Sequence, residues 1–278
     1  MTVVRVPASS ANLGPGFDAL GVALDLYAEV GAVDETSDAA ALAKRVDEHH
    51  PASIAFAAAG GVGELWVRSP IPIGRGLGFS GAMRVGGAAV AVVQQSGRGA
   101  LAERHAELLA ITADLEGHAD NVAASLYGGV VATDGTRAVR VEVPLRPDVV
   151  VWIPEETTST TASRTTLPAS VSFDDAVFNV GRAALLVAAL AAGDVAALSA
   201  ATQDRLHQER RFENAPASRE VLDAGTAAGA WCGWLSGSGP TVAFLTADGE
   251  GARIAAALPQ SGHTRIVAID QHGTTLIG

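Results

Sequence analysis

Lysine is almost missing from this 278-residue chain, with Lys44 the only one. A phosphate loop of the GxxxxGK[ST] kind needs a lysine that reaches the phosphates, so that nucleotide fold is excluded. Cysteine is as scarce. Cys232 stands alone, which excludes an intrachain disulfide framework and fits a reducing, cytoplasmic setting. Flanked by Trp231, Trp234 and Leu235, it reads as a buried structural thiol. Positive charge is also short: the net charge of −11 argues against a nucleic-acid partner, which needs a basic face, while leaving room for ATP on a few local arginines. No charged-then-apolar leader opens MTVVRVPASS, and the apolar helical run 183–193 is too short to span a bilayer, so no membrane partner is expected. Metal binding through a histidine cluster is unsupported, because no HxxxH spacing occurs. Protein-kinase signatures (VAIK, HRD, DFG) are absent as well.

Glycine, by contrast, is abundant, and it is concentrated where function is expected. The stretch Pro70 to Ala82, PIPIGRGLGFSGA, places Gly74, Gly76, Gly78 and Gly81 between a strand-like run and an apolar helical pattern. Glycine allows positive φ and close approach of the backbone to a ligand. A helix start presents free N–H groups and the positive end of its dipole, which suits a phosphate. Residues 74–81 are therefore expected to cradle a polyphosphate, with Ser80 as the helix N-cap. Gly76, Gly78 and Gly81 spell GxGxxG, but Pro70 and Pro72 precede it and Glu103 lies in a helical pattern, so a dinucleotide fold is not indicated.

Hydrophobic periodicity predicts strands over residues 2–7, 20–29, 64–69, 129–133, 138–143, 149–153, 231–235, 241–246 and 264–270. Helices are expected over 52–59, 81–95, 101–115, 122–126, 173–192, 195–208, 217–228 and 249–257. Residues 8–18 and the Thr/Ser-rich 157–168 read as loops, and 34–50 as irregular with weak strand character. Gly86 and Gly87 inside a helical pattern suggest close packing. The pattern is α+β in two halves, without βαβα alternation.

Three glycine-rich stretches, PASSANLGPGFDALG, PIPIGRGLGFSGA and LSGSGPTV, resemble in order and spacing the three motifs of the GHMP small-molecule kinases, a family that includes galactokinase, mevalonate kinase and homoserine kinase. Within it, PASSANLGPGFDALGVAL, EGHADNVAASLYGGVV, NVGRAALLVAAL, TTASRTTLP and DRLHQERR are most similar to the homoserine kinases. The resemblance implies an N-terminal ATP-binding domain over 1–146 and a ferredoxin-like C-terminal domain over 147–278. It also implies a cleft site and a homodimer in the cytoplasm.

What the resemblance implies for chemistry is MgATP-dependent phosphorylation of the L-homoserine hydroxyl, a step of threonine biosynthesis. Pro72, Gly74, Arg75, Gly76, Leu77, Gly78, Phe79, Ser80 and Gly81 would hold the nucleotide. Ser80 and Glu116 would hold Mg²⁺, with Asp114 the alternative carboxylate. Asn12, Asp18, His118, Asp120 and Gly237 would surround the substrate, and Arg164 and Arg211 would bind its carboxylate, since a guanidinium donates two parallel hydrogen bonds. Asn121 stands where the sugar and mevalonate kinases carry an aspartate base. An amide cannot accept a proton at neutral pH, so with Ser80 and Glu116 it implies catalysis by positioning and charge stabilisation. Two departures stand out: Phe79 where the family has a serine, and Gly81 where it has an alanine. They bear on nucleotide affinity, not on the substrate-side residues, and Phe79 leaves open a binding protein without catalysis; a GHMP kinase for another small hydroxylated acid is the other alternative.

Overall fold

A computed structural model describes residues 2–33, 44–158 and 160–277; the expectation for 34–50 falls partly outside these. The chain is built on two antiparallel sheets. In the first, β1 (Val3–Ala11) and β2 (Leu20–Ala32) pair along their length, with a register shift between Pro7 and Ala8, where proline offers no N–H to the ladder. Beyond β2 lie β3 (Lys44–Val46) and β4 (Leu65–Arg68), and the start of β2 also pairs with β5 (Val130–Thr133), which pairs with β6 (Ala138–Val141).

Helices α1 (Pro51–Ala58), α2 (Phe79–Ser96), α3 (His105–Glu116) and α4 (Asp120–Tyr127) accompany this sheet. Helix α2 is buried along its apolar positions, from Ala82 through Val93. Its glycine pair is a packing device: a Cβ on Gly87 would lie 1.9 Å from the Ala52 carbonyl oxygen of α1.

The second sheet has the order β10-β7-β9-β8, formed by β7 (Asp148–Pro154), β8 (Cys232–Leu235), β9 (Val242–Thr246) and β10 (Gly262–Val267). Between β7 and β8 run α5 (Thr160–Thr165), α6 (Phe173–Ala192), α7 (Val195–Ala201), α8 (Gln208–Phe212) and α9 (Pro216–Ala227), and α10 (Gly251–Ala257) joins β9 to β10. Numbering its strands 1 to 4 along the chain, the order is 4-1-3-2, the ferredoxin-like arrangement the resemblance implies. A final strand, β11 (Thr275–Leu276), returns to the first sheet and pairs with β1. It was not expected from the sequence.

Several expectations are corrected. Strand β1 continues through Ser9 and Ser10, which read as loop residues. Both are fully buried, because Ser9 Oγ donates to Asn121 Oδ1 at 2.9 Å and Ser10 Oγ shares a hydrogen bond with Ser236 Oγ at 2.7 Å. Helix α2 starts at Phe79 after Gly78, whose φ of 68° forms the cap, so Ser80 lies inside the first turn and is not the N-cap. The expected helix 195–208 ends at Ala201. Asp204 then accepts the N–H groups of Leu206, His207 and Gln208 and starts α8 afresh. The 157–168 loop contains α5.

Helix α6 is long and apolar enough to cross a bilayer by length and composition, with a mean hydropathy of 1.5. The 183–193 run understated it, because the helix continues N-terminally past Arg182 to Phe173. It buries Asn179, Leu186, Ala189 and Leu190 and packs on α7, leaving Phe173, Val177 and Val180 exposed.

Candidate active site

The three glycine-rich loops meet at the seam between the two sheets. A Cβ on Gly76 would lie 2.2 Å from the Ser236 carbonyl oxygen, and one on Gly78 would lie 2.1 Å from Ser9 Oγ. With φ of 76° and 68°, these two positions need glycine for both reasons. Ser236 ties the loops together: its hydroxyl meets Ser10 Oγ and donates to the Gly76 carbonyl at 2.6 Å. Gly237 joins them, its N–H donating to Ala11 and its carbonyl accepting from Asn12 Nδ2 at 3.0 Å.

The meeting point is a cavity of about 340 Å³, within the range of small-ligand sites. It is lined by Asn12, Asp18, Pro72, Gly74, Arg75, Gly76, Gly78, Phe79, Ser80, Glu116, His118, Asp120, Asn121, Arg164, Arg211 and Gly237. Of the residues singled out from sequence, Leu77 and Gly81 do not line it. Leu77 is buried, with its carbonyl accepting from Ser9 N, and Gly81 lets α2 approach Asn121 and Val122 of α4. Arg75 spends its guanidinium on the Pro154 and Glu155 carbonyls at the end of β7, so it braces the seam as well as lining the cavity.

At one end of the cavity lies the start of α2, which no side chain caps. Gly78, Phe79 and Ser80 open it onto the cavity, so unfilled N–H groups are offered there to an anion. Pro51, Ile73 and the half-buried Phe79 form an apolar wall beside it, and Phe79 meets the His50 ring edge to face at 6.1 Å.

Ser80 Oγ donates to Glu116 Oε2 at 2.7 Å, and the same oxygen accepts from Arg84 Nε at 2.5 Å. A hydroxyl and a carboxylate side by side at a phosphate-type helix end are the hard oxygen donors Mg²⁺ takes alongside phosphate and water. The residues therefore fit that ion. Asp114 is exposed and not among the lining residues. Arg84 is a residue the motif reading missed, although its place four positions after Ser80 sets it on the same face of α2.

At the other end, charges alternate. Asp18, His118 and Asp120 each present an atom within 4.8 Å of the others. His118 Nδ1 lies 2.6 Å from Asp120 Oδ1. Burial pulls the His118 pKa down, but the hydrogen bond and charge of Asp120 outweigh it, and the imidazole sits above its ordinary range. Asp18 receives both terminal nitrogens of Arg164, at 2.6 and 3.0 Å, which raises the Arg164 pKa.

Arg211 is 5% exposed. Its Nη1 donates to the Gly237 carbonyl at 2.8 Å and meets His207 Nδ1 at 3.2 Å. Its Nε has no hydrogen-bond partner. Burial first, and then Arg164, press its pKa down to about 10, which still leaves it charged at neutral pH.

Comparison with known proteins identifies the family. The family model for the GHMP kinases N terminal domain matches residues 36–129, and that for GHMP kinases C terminal matches residues 186–264. The chain is 41% identical to the homoserine kinase of Moorella thermoacetica over 87% of its own length and 86% of that protein. It is 38% identical to the homoserine kinase of Thermus thermophilus, covering 96% and 95% of the two chains. A crystal structure of homoserine kinase from Cytophaga hutchinsonii superposes with a TM-score of 0.83 at 26% identity, over 99% of this chain and 97% of that one. With both halves matched in order and the three glycine loops converging on one cavity, the chain belongs to the GHMP kinase family.

Proposed function

We propose that this chain transfers the γ-phosphoryl group of MgATP to the hydroxyl of L-homoserine, giving O-phospho-L-homoserine and ADP. One observation carries the substrate assignment: a buried guanidinium, Arg211, with its Nε unpartnered, lines the same cavity as the carboxylates of Asp18 and Asp120 and the His118 imidazole. A guanidinium beside two carboxylates is complementary to a zwitterionic amino acid, carboxylate to Arg211 and ammonium to Asp18 and Asp120. A sugar or an uncharged alcohol has no use for either.

The nucleotide phosphates are assigned to the start of α2 and the 74–80 loop, and the base to the apolar wall of Pro51, Ile73 and Phe79. Ser80 and Glu116 are the Mg²⁺ ligands in this reading. The ion supplies charge neutralisation across the phosphate oxygens.

Asn121 is committed through Oδ1 to Ser9, which leaves its Nδ2 to donate toward the reacting oxygens. It holds the hydroxyl in line and takes no proton. A loose transition state asks for orientation and positive potential more than for a base. Residues 1–146 act as the nucleotide half and 147–278 as the half bearing Arg211, in a cytoplasmic homodimer. The exposed apolar residues Phe173, Val177 and Val180 of α6 support self-association, which light scattering on wild-type and Val180→Glu protein would test.

The assignment is tested by ADP release from MgATP with L-homoserine, L-serine, L-threonine, mevalonate and galactose. Turnover confined to homoserine, with KM raised in Arg211→Met, is the expected result. Turnover on another alcohol alone would move the chain to a sister activity, and none on any would leave a binding protein.

A further inference from the structure

His207 is buried on every side, with a side chain 0% exposed. It is held between three elements. Its Nε2 lies 2.7 Å from the carbonyl oxygen of Gly14 in the first glycine loop, and its Nδ1 lies 3.2 Å from Arg211 Nη1. Its ring packs on Phe17 at 5.2 Å, the same ring that Arg211 overlies at 5.3 Å.

The two polar partners dictate its protonation. A carbonyl oxygen only accepts, so Nε2 must carry the hydrogen; a guanidinium only donates, so Nδ1 must offer its lone pair. The contacts therefore require the neutral Nε2–H tautomer. The fold holds the ring there through Asp204, whose carboxylate accepts from Asn179 Nδ2 at 2.8 Å and from the backbone N–H of His207 at 2.9 Å. Gly14 is pinned in turn, since a Cβ there would lie 2.2 Å from the Thr202 carbonyl oxygen.

We propose that His207 is a positioning residue for the amino-acid substrate. By accepting one Nη1 hydrogen of Arg211 while donating to the first glycine loop, it fixes the plane of the guanidinium that lines the cavity. This rests on the reading of Arg211 as the carboxylate-binding group. It assigns a task to a buried polar residue that phosphoryl transfer itself does not use.

The test uses His207→Leu, which offers neither bond, and His207→Gln, whose amide carries a donor and an acceptor at a spacing close to that of the two ring nitrogens. Each is made in the full chain, alone and with Arg211→Met, and KM is measured separately for L-homoserine and MgATP, beside kcat and the thermal midpoint. Losing a hydrogen bond to a charged group predicts a homoserine KM raised about tenfold or more in His207→Leu. The MgATP KM moves less than about twofold, because the two sites do not share this contact. His207→Gln recovers most of the loss. With Arg211→Met present, His207→Leu adds less than about twofold.

Parallel rises in both KM values, no rescue by glutamine, or an undiminished effect in the Arg211→Met background would overturn the proposal. If Arg211→Met alone leaves the homoserine KM unchanged, the carboxylate reading itself fails, and that arm separates the two. Should His207→Leu not fold, His207→Asn, too short to reach both partners, takes its place with the same expected outcome.

Discussion

Replacing Glu116 with glutamine separates its two tasks. Its Oε2 accepts from both Ser80 and Arg84, with the Glu116 and Arg84 side chains only 11% and 17% exposed. Two opposite charges at about 4 Å interact by roughly 4 kcal/mol at an effective dielectric of 20. Desolvation offsets part of this, and exposed pairs contribute about 0–1 kcal/mol where buried pairs cost about 3–5 kcal/mol to break. This pair lies between those limits, so Glu116→Gln is expected to cost about 2 kcal/mol. At about 2–4 °C per kcal/mol, the thermal midpoint falls by about 4–8 °C. Turnover falls by about 100-fold or more, as for loss of a group that stabilises transferred charge.

The double variant Glu116→Gln with Arg84→Met removes the stranded guanidinium. It should regain most of the midpoint and none of the turnover. Mn²⁺ affinity in the presence of ATP, read by electron paramagnetic resonance, should stay low in both variants. If the double variant regained turnover and Mn²⁺ binding together, Glu116 would be no more than the counter-ion of Arg84, and the metal assignment would be wrong.

Other perturbations reach other parts of the site. Asp18→Asn removes the charge assigned to the substrate ammonium in the proposed reading and unpairs Arg164, so the homoserine KM should rise about tenfold or more with the MgATP KM little changed; steady-state kinetics decide it. Gly78→Ala puts a Cβ onto Ser9 Oγ at positive φ, and a strained residue costs about 1–3 kcal/mol. Denaturant unfolding should show that loss, and the MgATP KM should rise as the loop shifts. Burial holds the His207 pKa below the usual histidine range and Arg211 adds to this, while Asp204 and Asp18 pull the other way. The unfolded chain then binds the extra proton, so stability is complete above the unfolded value of about 6.5 and declines as pH falls through it. Urea unfolding between about pH 5 and 8 should give a shallower acid decline in His207→Gln than in the wild type.

The parts of this site that could be read in the sequence are those whose chemistry is local. Glycine loops announce themselves because backbone geometry demands glycine, and Asp18, His118 and Arg211 lie in short blocks with recognisable spacing. What escaped was set by distant partners. Ser9 and Ser10 look like loop residues until Asn121 and Ser236 arrive to satisfy their hydroxyls. The break between α7 and α8 follows from Asp204 capping three N–H groups, and the strand at Thr275 forms only because β1 offers it an edge. Arg84 and His207 each sit four residues from a residue that was recognised, on one helix or beside its start. Helical spacing placed them near the site, but only the fold pairs them with Glu116 and Gly14. Phe79 is the converse case: a departure in the motif that the fold accommodates, since the N–H groups of the loop do not depend on the side chain at that position and the ring packs against His50.

The two arginines expected to share the substrate carboxylate are not equivalent, and the difference follows from what each already holds. Arg164 gives both terminal nitrogens to Asp18, in a bidentate pair whose side chains are each more than a third exposed. Arg211 gives one nitrogen to Gly237 and His207 and keeps Nε unpartnered in a nearly closed environment. A carboxylate gains more from a preorganised, desolvated fork than from one that must first leave a partner. In the proposed reading Arg211 is thus the anchor, and Arg164 orients Asp18 toward the ammonium. The short helix α5 that carries Arg164 is held through that ion pair and through Ser163 Oγ, which donates to the Ser238 carbonyl at 3.3 Å, so the contact that occupies Asp18 also helps hold the helix against the cavity. In that reading, a substrate ammonium competing with Arg164 for Asp18 would act on one of the contacts that hold α5.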